Sequence, residues 1–256
     1  MFRGLLNNGV LYHRLQEDVH EGMRLGRHQL LDARSLAYMV ENNVQAMGTA
    51  YQDRSWERVI DILDQGKLGA CTGNAGTGAL GTQPFYDAVG SSVLPAAHDA
   101  DAGQRFAVEL YSEATAVDPY PGTYPPEDTG SSGLAICQVL KNRGMITGYT
   151  WARTAYGFLT LLQAGPVLQG MPWHQAFFQP DKNGFIDSDP AWSSSALAGG
   201  HEVEAIGLHL DSRDVFSSVI TYANSWGTGW GDNGLFRMRL RTYEQLHSVD
   251  LKQFSV

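Results

Sequence analysis

Apolar positions at Leu11, Leu15, Val19 and Met23 recur every four residues, which predicts an amphipathic helix over roughly residues 10–24. From Leu25 to Asp53 there is neither a period nor a linker composition, and this stretch is expected to wrap the domain that follows. Val59 to Leu63 is a short extended run. Residues 71–83 then read as a helix despite glycine at 73, 76, 78 and 81. Each such glycine costs about 1 kcal/mol against alanine in a helix interior, so burial and close packing must hold this one. Gln104 to Glu113 reads as a second helix. A third runs from Ser131 to Gly144, with Leu134, Cys137 and Val139 or Leu140 turned inward and Gly144 as its cap.

The second half changes period. A strand begins near Val167, and Asn183-Gly184 suits a tight turn before Phe185. From His201 to Leu210 the chain alternates, with His201, Val203 and Ala205 on one face and Glu202, Glu204 and Ile206 on the other. Ser217 to Asn224, rich in β-branched and aromatic residues, is its expected partner. Phe236, Met238 and Leu240 alternate with Arg237, Arg239 and Arg241, whose row is expected to be a solvated strand face. Helices first and strands afterwards predict an α+β fold.

Composition narrows the function. A chain of 256 residues with a 43% hydrophobic fraction fits one large domain or two lobes sharing an interface. The formal net charge of −9 argues against nucleic acid as a partner. No apolar run approaches a membrane span, and the first residues break off too early for a signal peptide, so a cytoplasmic protein is expected. Gly76-Thr77-Gly78-Ala79-Leu80-Gly81 matches a dinucleotide fingerprint literally, but no strand leads directly into it and no βαβ pattern follows. No histidine–carboxylate cluster has metal-ligand spacing, so neither a metal nor a cofactor is expected.

Three segments carry candidate chemistry: Asp64-Gln65-Gly66-Lys67-Leu68-Gly69-Ala70-Cys71-Thr72, Gly199-Gly200-His201-Glu202, and Asn224-Ser225-Trp226-Gly227-Thr228-Gly229-Trp230-Gly231. A thiol attacks as thiolate, and free cysteine, with a pKa of roughly 8.5, needs a base or a helix N-terminus to become one. An imidazole supplies the base, and a neutral amide on its other nitrogen orients it. Cys137 lacks such a neighbourhood and reads as core, and the seven other histidines read as surface or structural.

In that order and spacing, Gln65, Cys71, His201 and Asn224 resemble the papain-like cysteine peptidases over about residues 56–240. With Leu68 and Thr72 flanking the cysteine and only two cysteines in all, the chain looks like the disulfide-free branch seen in bacteria and phages. The resemblance implies a two-lobed fold, with a helical left lobe and an antiparallel, β-barrel-like right lobe. It implies Cys71 as nucleophile, His201 as base, Asn224 as its orienter and Gln65 in the oxyanion hole. It further implies Thr129, Gly130 and Ser131 as backbone partners of an extended peptide substrate, Glu202 on the wall of a side-chain pocket and Trp226 over the His201–Asn224 bond. Residues 56–256 would form the peptidase domain. Residues 1–55 would be an N-terminal helix and wrapping segment, with a propeptide-like role as the alternative. Two other functions fit the same residues: a silent structural or binding protein, such as a virion or assembly component, or an amide-transfer enzyme.

Overall fold

The computed structural model describes residues 2–5, 10–14, 17, 20, 22–32, 38–40, 51–246 and 250–256. Its centre is helix α1 (Cys71–Leu80), in which every residue is buried. The glycines make that possible. A Cβ at Gly73 would overlap the Ala107 carbonyl and touch Tyr111, and one at Gly76 would press on Ile136. Two helices therefore approach α1 closely: α3 (Ala100–Val117), which follows the single turn α2 (Ser91–Val93), and α4 (Gly133–Asn142).

The ends of these helices follow local rules. Asp99 caps α3 by accepting from the Ala102 N–H at 2.9 Å, and Ser132 caps α4 by accepting from Ala135. Gly144, at φ 69°, takes the left-handed turn that ends α4, with the Met145 N–H returned to the Leu140 carbonyl. Cys137 is fully buried in the apolar core that α1, α3 and α4 share, as its spacing predicts.

The second lobe is an antiparallel sheet. Strands β5 (Gly148–Ala152), β6 (Val167–His174), β7 (Leu197–His209), β8 (Val219–Ala223), β9 (Leu235–Arg239) and β10 (Asp250–Ser255) run in the order β5-β10-β6-β7-β8-β9, and β4 (Arg54–Ser55) pairs with β7. The sheet is open among the described residues and does not close into the barrel-like form expected. Helices α5 (Ala155–Ala164) and α6 (Leu240–Gln245) pack on it over an aromatic core that includes Trp173, Trp226 and Phe236. Strand β7 is buried on both faces because α1 crosses the face opposite that core. The arginine row on and after β9 is not simply solvated: Arg237, Arg239 and Arg241 pair with Asp232, Asp187 and Asp214.

The N-terminal expectation fails at one point. Residues Val10–Arg14 form strand β2, not the start of a helix, and pair antiparallel with β1 (Phe2–Leu5) and β3 (Gln29–Asp32). Pairing on both edges satisfies the backbone of a short Val-Leu-Tyr stretch, which outweighs a weak four-residue spacing. Two of the four spaced positions, Leu15 and Val19, lie outside the described residues.

Candidate active site

The chain brings the four predicted catalytic residues to one place, where α1 begins and β7 passes. Cys71 is the first residue of α1, so its side chain lies at the positive end of the helix. The Glu202 N–H points at Cys71 Sγ, 3.4 Å away, which sets the sulfur beside the residue that follows His201. His201 Nε2 lies 2.7 Å from Asn224 Oδ1. That oxygen also accepts the Ser225 N–H at 2.8 Å, which fixes the amide's orientation and makes Nε2 the protonated nitrogen. Nδ1 has no hydrogen-bond partner among the described residues. The imidazole is stacked on Trp226, with centroids 4.8 Å apart, and Trp173 meets it edge-on at the same distance.

Gln65 is held from two directions. The Ser225 hydroxyl donates to its Oε1 at 2.6 Å, and the Gln65 N–H donates to the Ser225 carbonyl. With Oε1 so engaged, Nε2 donates to the Leu68 and Leu25 carbonyls.

The Leu25 contact introduces the feature that sequence reasoning did not anticipate in detail: residues 24–28 occupy the cleft. Trp226 Nε1 donates to the Arg24 carbonyl, and the Arg27 N–H donates to the Gly200 carbonyl at 3.0 Å. Ser131 donates its N–H to the Gly26 carbonyl and accepts from the His28 N–H. Of the three residues expected to hold a peptide backbone, Ser131 meets that of the chain itself. His28 Nε2 also lies 2.6 Å from the Thr129 carbonyl. Gly26, at φ 101°, passes so close to Gly69 that a side chain there would overlap it.

Leu25 is fully buried with the aromatic core, and Asp128 ties Arg24 to the Gly69 N–H and the Tyr111 hydroxyl. Glu202 and Glu204 are buried as well. Arg27 faces the first and Arg58 the second, so the strand face they share is not solvated.

Burial sets the electrostatics of the site. Cys71 and His201 are both 0% exposed. Burial pushes the thiol well above its usual range, and the charge of Glu202 adds to this. Burial lowers His201 to about 4, against the Asn224 bond that favours its cation. In this covered arrangement the pair is neutral. The residues that sequence reasoning missed are Arg27, Trp173 and Ser225; only Ser225, inside the Asn-Ser-Trp run, carried any signal. Among the described residues no group of histidine, cysteine and carboxylate side chains could hold a metal.

Known proteins resemble this chain in part of its sequence and in its fold. Residues 133–253 match the family model described as papain family cysteine protease. Cysteine proteinase 3 of Entamoeba histolytica is 36% identical over 105 residues, which are 39% of this chain and 32% of that protein, so the match spans about a third of the relative's length. Among solved structures, xylellain, a cysteine protease from Xylella fastidiosa, superposes with a TM-score of 0.64 at 18% identity, over 94% of this chain and 98% of that one. The ragweed pollen allergen Amb a 11 in its proform gives 0.56 at 15% identity, over 81% and 67%. The chain thus has the fold of these proteases, and its residues 133–253 match the papain family's model.

Proposed function

We propose that this chain is a cysteine endopeptidase of extended peptides, held in a latent form by residues 24–28. The observation that carries the reading is the His201 imidazole, protonated at Nε2 toward Asn224, followed in the chain by a Glu202 N–H that points at a cysteine at a helix N-terminus. Once a substrate replaces the segment, Cys71 Sγ gives its proton to His201 Nδ1 and bonds to the substrate carbonyl carbon. The carbonyl π pair moves to oxygen, where the Gln65 Nε2–H and the Cys71 N–H receive it. His201 then protonates the departing amine as the C–N bond breaks, leaving a thioester. Water, deprotonated by His201, attacks the thioester and releases the acid and the thiol. Trp226 and Trp173 keep solvent from the His201–Asn224 bond.

Latency rests on the same geometry. The Leu25 carbonyl already occupies the Gln65 donor, and the covered thiol and imidazole are both neutral. Residues 1–55 in this reading form a propeptide-like segment on the peptidase domain of residues 56–256, and the main-chain bonds of residues 26–28 to Gly200 and Ser131 support it.

A digest of a peptide library by the full chain carrying Leu25→Ala, which loosens the segment over the site, tests the reading, with Cys71→Ala in the same background as control and hydroxylamine added as an alternative acceptor. Hydrolysis abolished in Cys71→Ala is expected. Products found only as hydroxamates would make the chain an amide-transfer enzyme, and cleavage surviving in Cys71→Ala would refute the mechanism.

A further inference from the structure

We propose that the slot filled by the Arg27 side chain is a subsite for a basic side chain of the substrate, with Glu202 as the residue that sets this specificity. The proposal rests on reading the cleft as a peptide-binding site. Arg27 Nε lies 3.6 Å from Glu202 Oε2, and the two side chains are 3% and 0% exposed. Two glycines make the room. A Cβ at Gly170, which lies opposite Glu202 in the β6–β7 register, would come within 2.7 Å of Arg27 Cζ and Nη2. One at Gly133 would overlap the Glu202 carboxylate. The slot is therefore deep, is walled by backbone and ends in a buried carboxylate.

The groups that hold this part of the chain belong to the cleft and not to its occupant. The Gly200 carbonyl and both backbone groups of Ser131 take up residues 26–28 through main-chain bonds, which a peptide with glycine at the place of Gly26 can also make. A peptide using the same groups presents a side chain to the same slot. A cation entering the slot meets the buried carboxylate as Arg27 does, whereas an apolar side chain forfeits that ion pair. Arginine fits best, because its planar fork matches a carboxylate, and lysine serves as a point charge. The charge on Glu202 disfavours the Cys71 thiolate while that on Arg27 favours it, so a cation bound in the slot also assists the nucleophile.

The test reads protection of Cys71 from iodoacetamide by three-residue peptide amides. Each carries arginine or norleucine at one position in turn, with glycine elsewhere, because a side chain at the place of Gly26 would overlap Gly69. In the full chain, Arg27→Ala is expected to speed alkylation of Cys71 and Arg27→Lys to speed it less. In the Arg27→Ala chain, the best arginine peptide should protect at about tenfold lower concentration than its norleucine counterpart, as a charge-assisted bond predicts. Glu202→Gln in that background should bring the two within about twofold. Gly170→Ala, which fills the slot but keeps the carboxylate, should weaken the arginine preference too, and near-ultraviolet circular dichroism checks that each variant is folded.

Equal protection by the two peptides, an arginine preference that survives Glu202→Gln, or an unchanged alkylation rate in Arg27→Ala would each overturn the proposal. Alkylation needs no turnover. A chain that proved not to be a peptidase would fail the library digest and still give this readout.

Discussion

Leu25 is the residue on which closure of the cleft most depends, and its truncation gives the sharpest prediction. Its side chain is fully buried within the aromatic core of the sheet lobe, and its carbonyl accepts from Gln65 Nε2. Leu25→Ala keeps the backbone contact and removes the packing. A buried Leu→Ala change costs about 2–5 kcal/mol, and each 1.4 kcal/mol is tenfold in a population. The fraction of molecules with the cleft open should rise about 30- to 3000-fold, up to the point where most are open.

The two free cysteines give the assay its control, since both are buried but only Cys71 lies under the segment. Iodoacetamide labelling is followed residue by residue across a urea series. Lifting residues 24–28 exposes little surface, so the rate at Cys71 should depend weakly on urea, whereas Cys137 in the helical core should wait for unfolding and depend on it steeply. Leu25→Ala should raise the Cys71 rate by at least about 30-fold while its urea dependence stays shallow. A rise of less than about fivefold, or a slope at Cys71 equal to that at Cys137, would refute the idea that the segment opens on its own.

Closure should also depend on pH. His201 lies at about 4 in the covered site against 6.5 for a free imidazole, so between those values the open form binds more protons. The contribution to closure is fully present above pH 6.5 and falls away toward pH 4, by up to about 3 kcal/mol. Because Cys71 is raised, the open form loses its thiol proton first at alkaline pH, which favours opening there as well. Hydrogen exchange of residues 22–32, corrected for intrinsic rates, should be slowest between the two limbs; a flat profile would contradict this. In turnover, Gln65→Ala should lower kcat by about 3 kcal/mol of barrier. Ser225→Ala, which removes only the bond that aims Gln65, should cost about 1 kcal/mol, with KM unchanged in steady-state kinetics. Asn224→Ala should lower kcat less than His201→Ala, because it orients the proton carrier without carrying the proton.

Much of this was legible in the sequence where local rules and long-range contacts agree. The Gly144 cap, the inward face of α4 and the alternation of β7 through β9 follow from turn chemistry and period, and Cys71, His201, Asn224 and Gln65 do converge. The N-terminal strand was missed because its four-residue spacing is also compatible with a strand once two partners exist. The Asn8-Gly9 pair just before it, a hairpin signal, was the better guide. Arg27 was illegible for a different reason. Nothing in Arg24-Leu25-Gly26-Arg27-His28 marks it locally, and its significance comes only from Glu202, Gly133 and Gly170, which the fold brings to it. Likewise the aspartates that neutralise the arginine row come from three separate places in the chain.

The central claim is that Cys71 is the nucleophile and that His201 activates it. It is tested most directly by treating the Leu25→Ala chain with a peptidyl epoxide directed at thiols and locating the adduct by mass spectrometry. The account predicts one adduct per chain, on Cys71, forming much more slowly when His201→Ala is added. An adduct on Cys137, or one on Cys71 whose rate ignores His201, would contradict it.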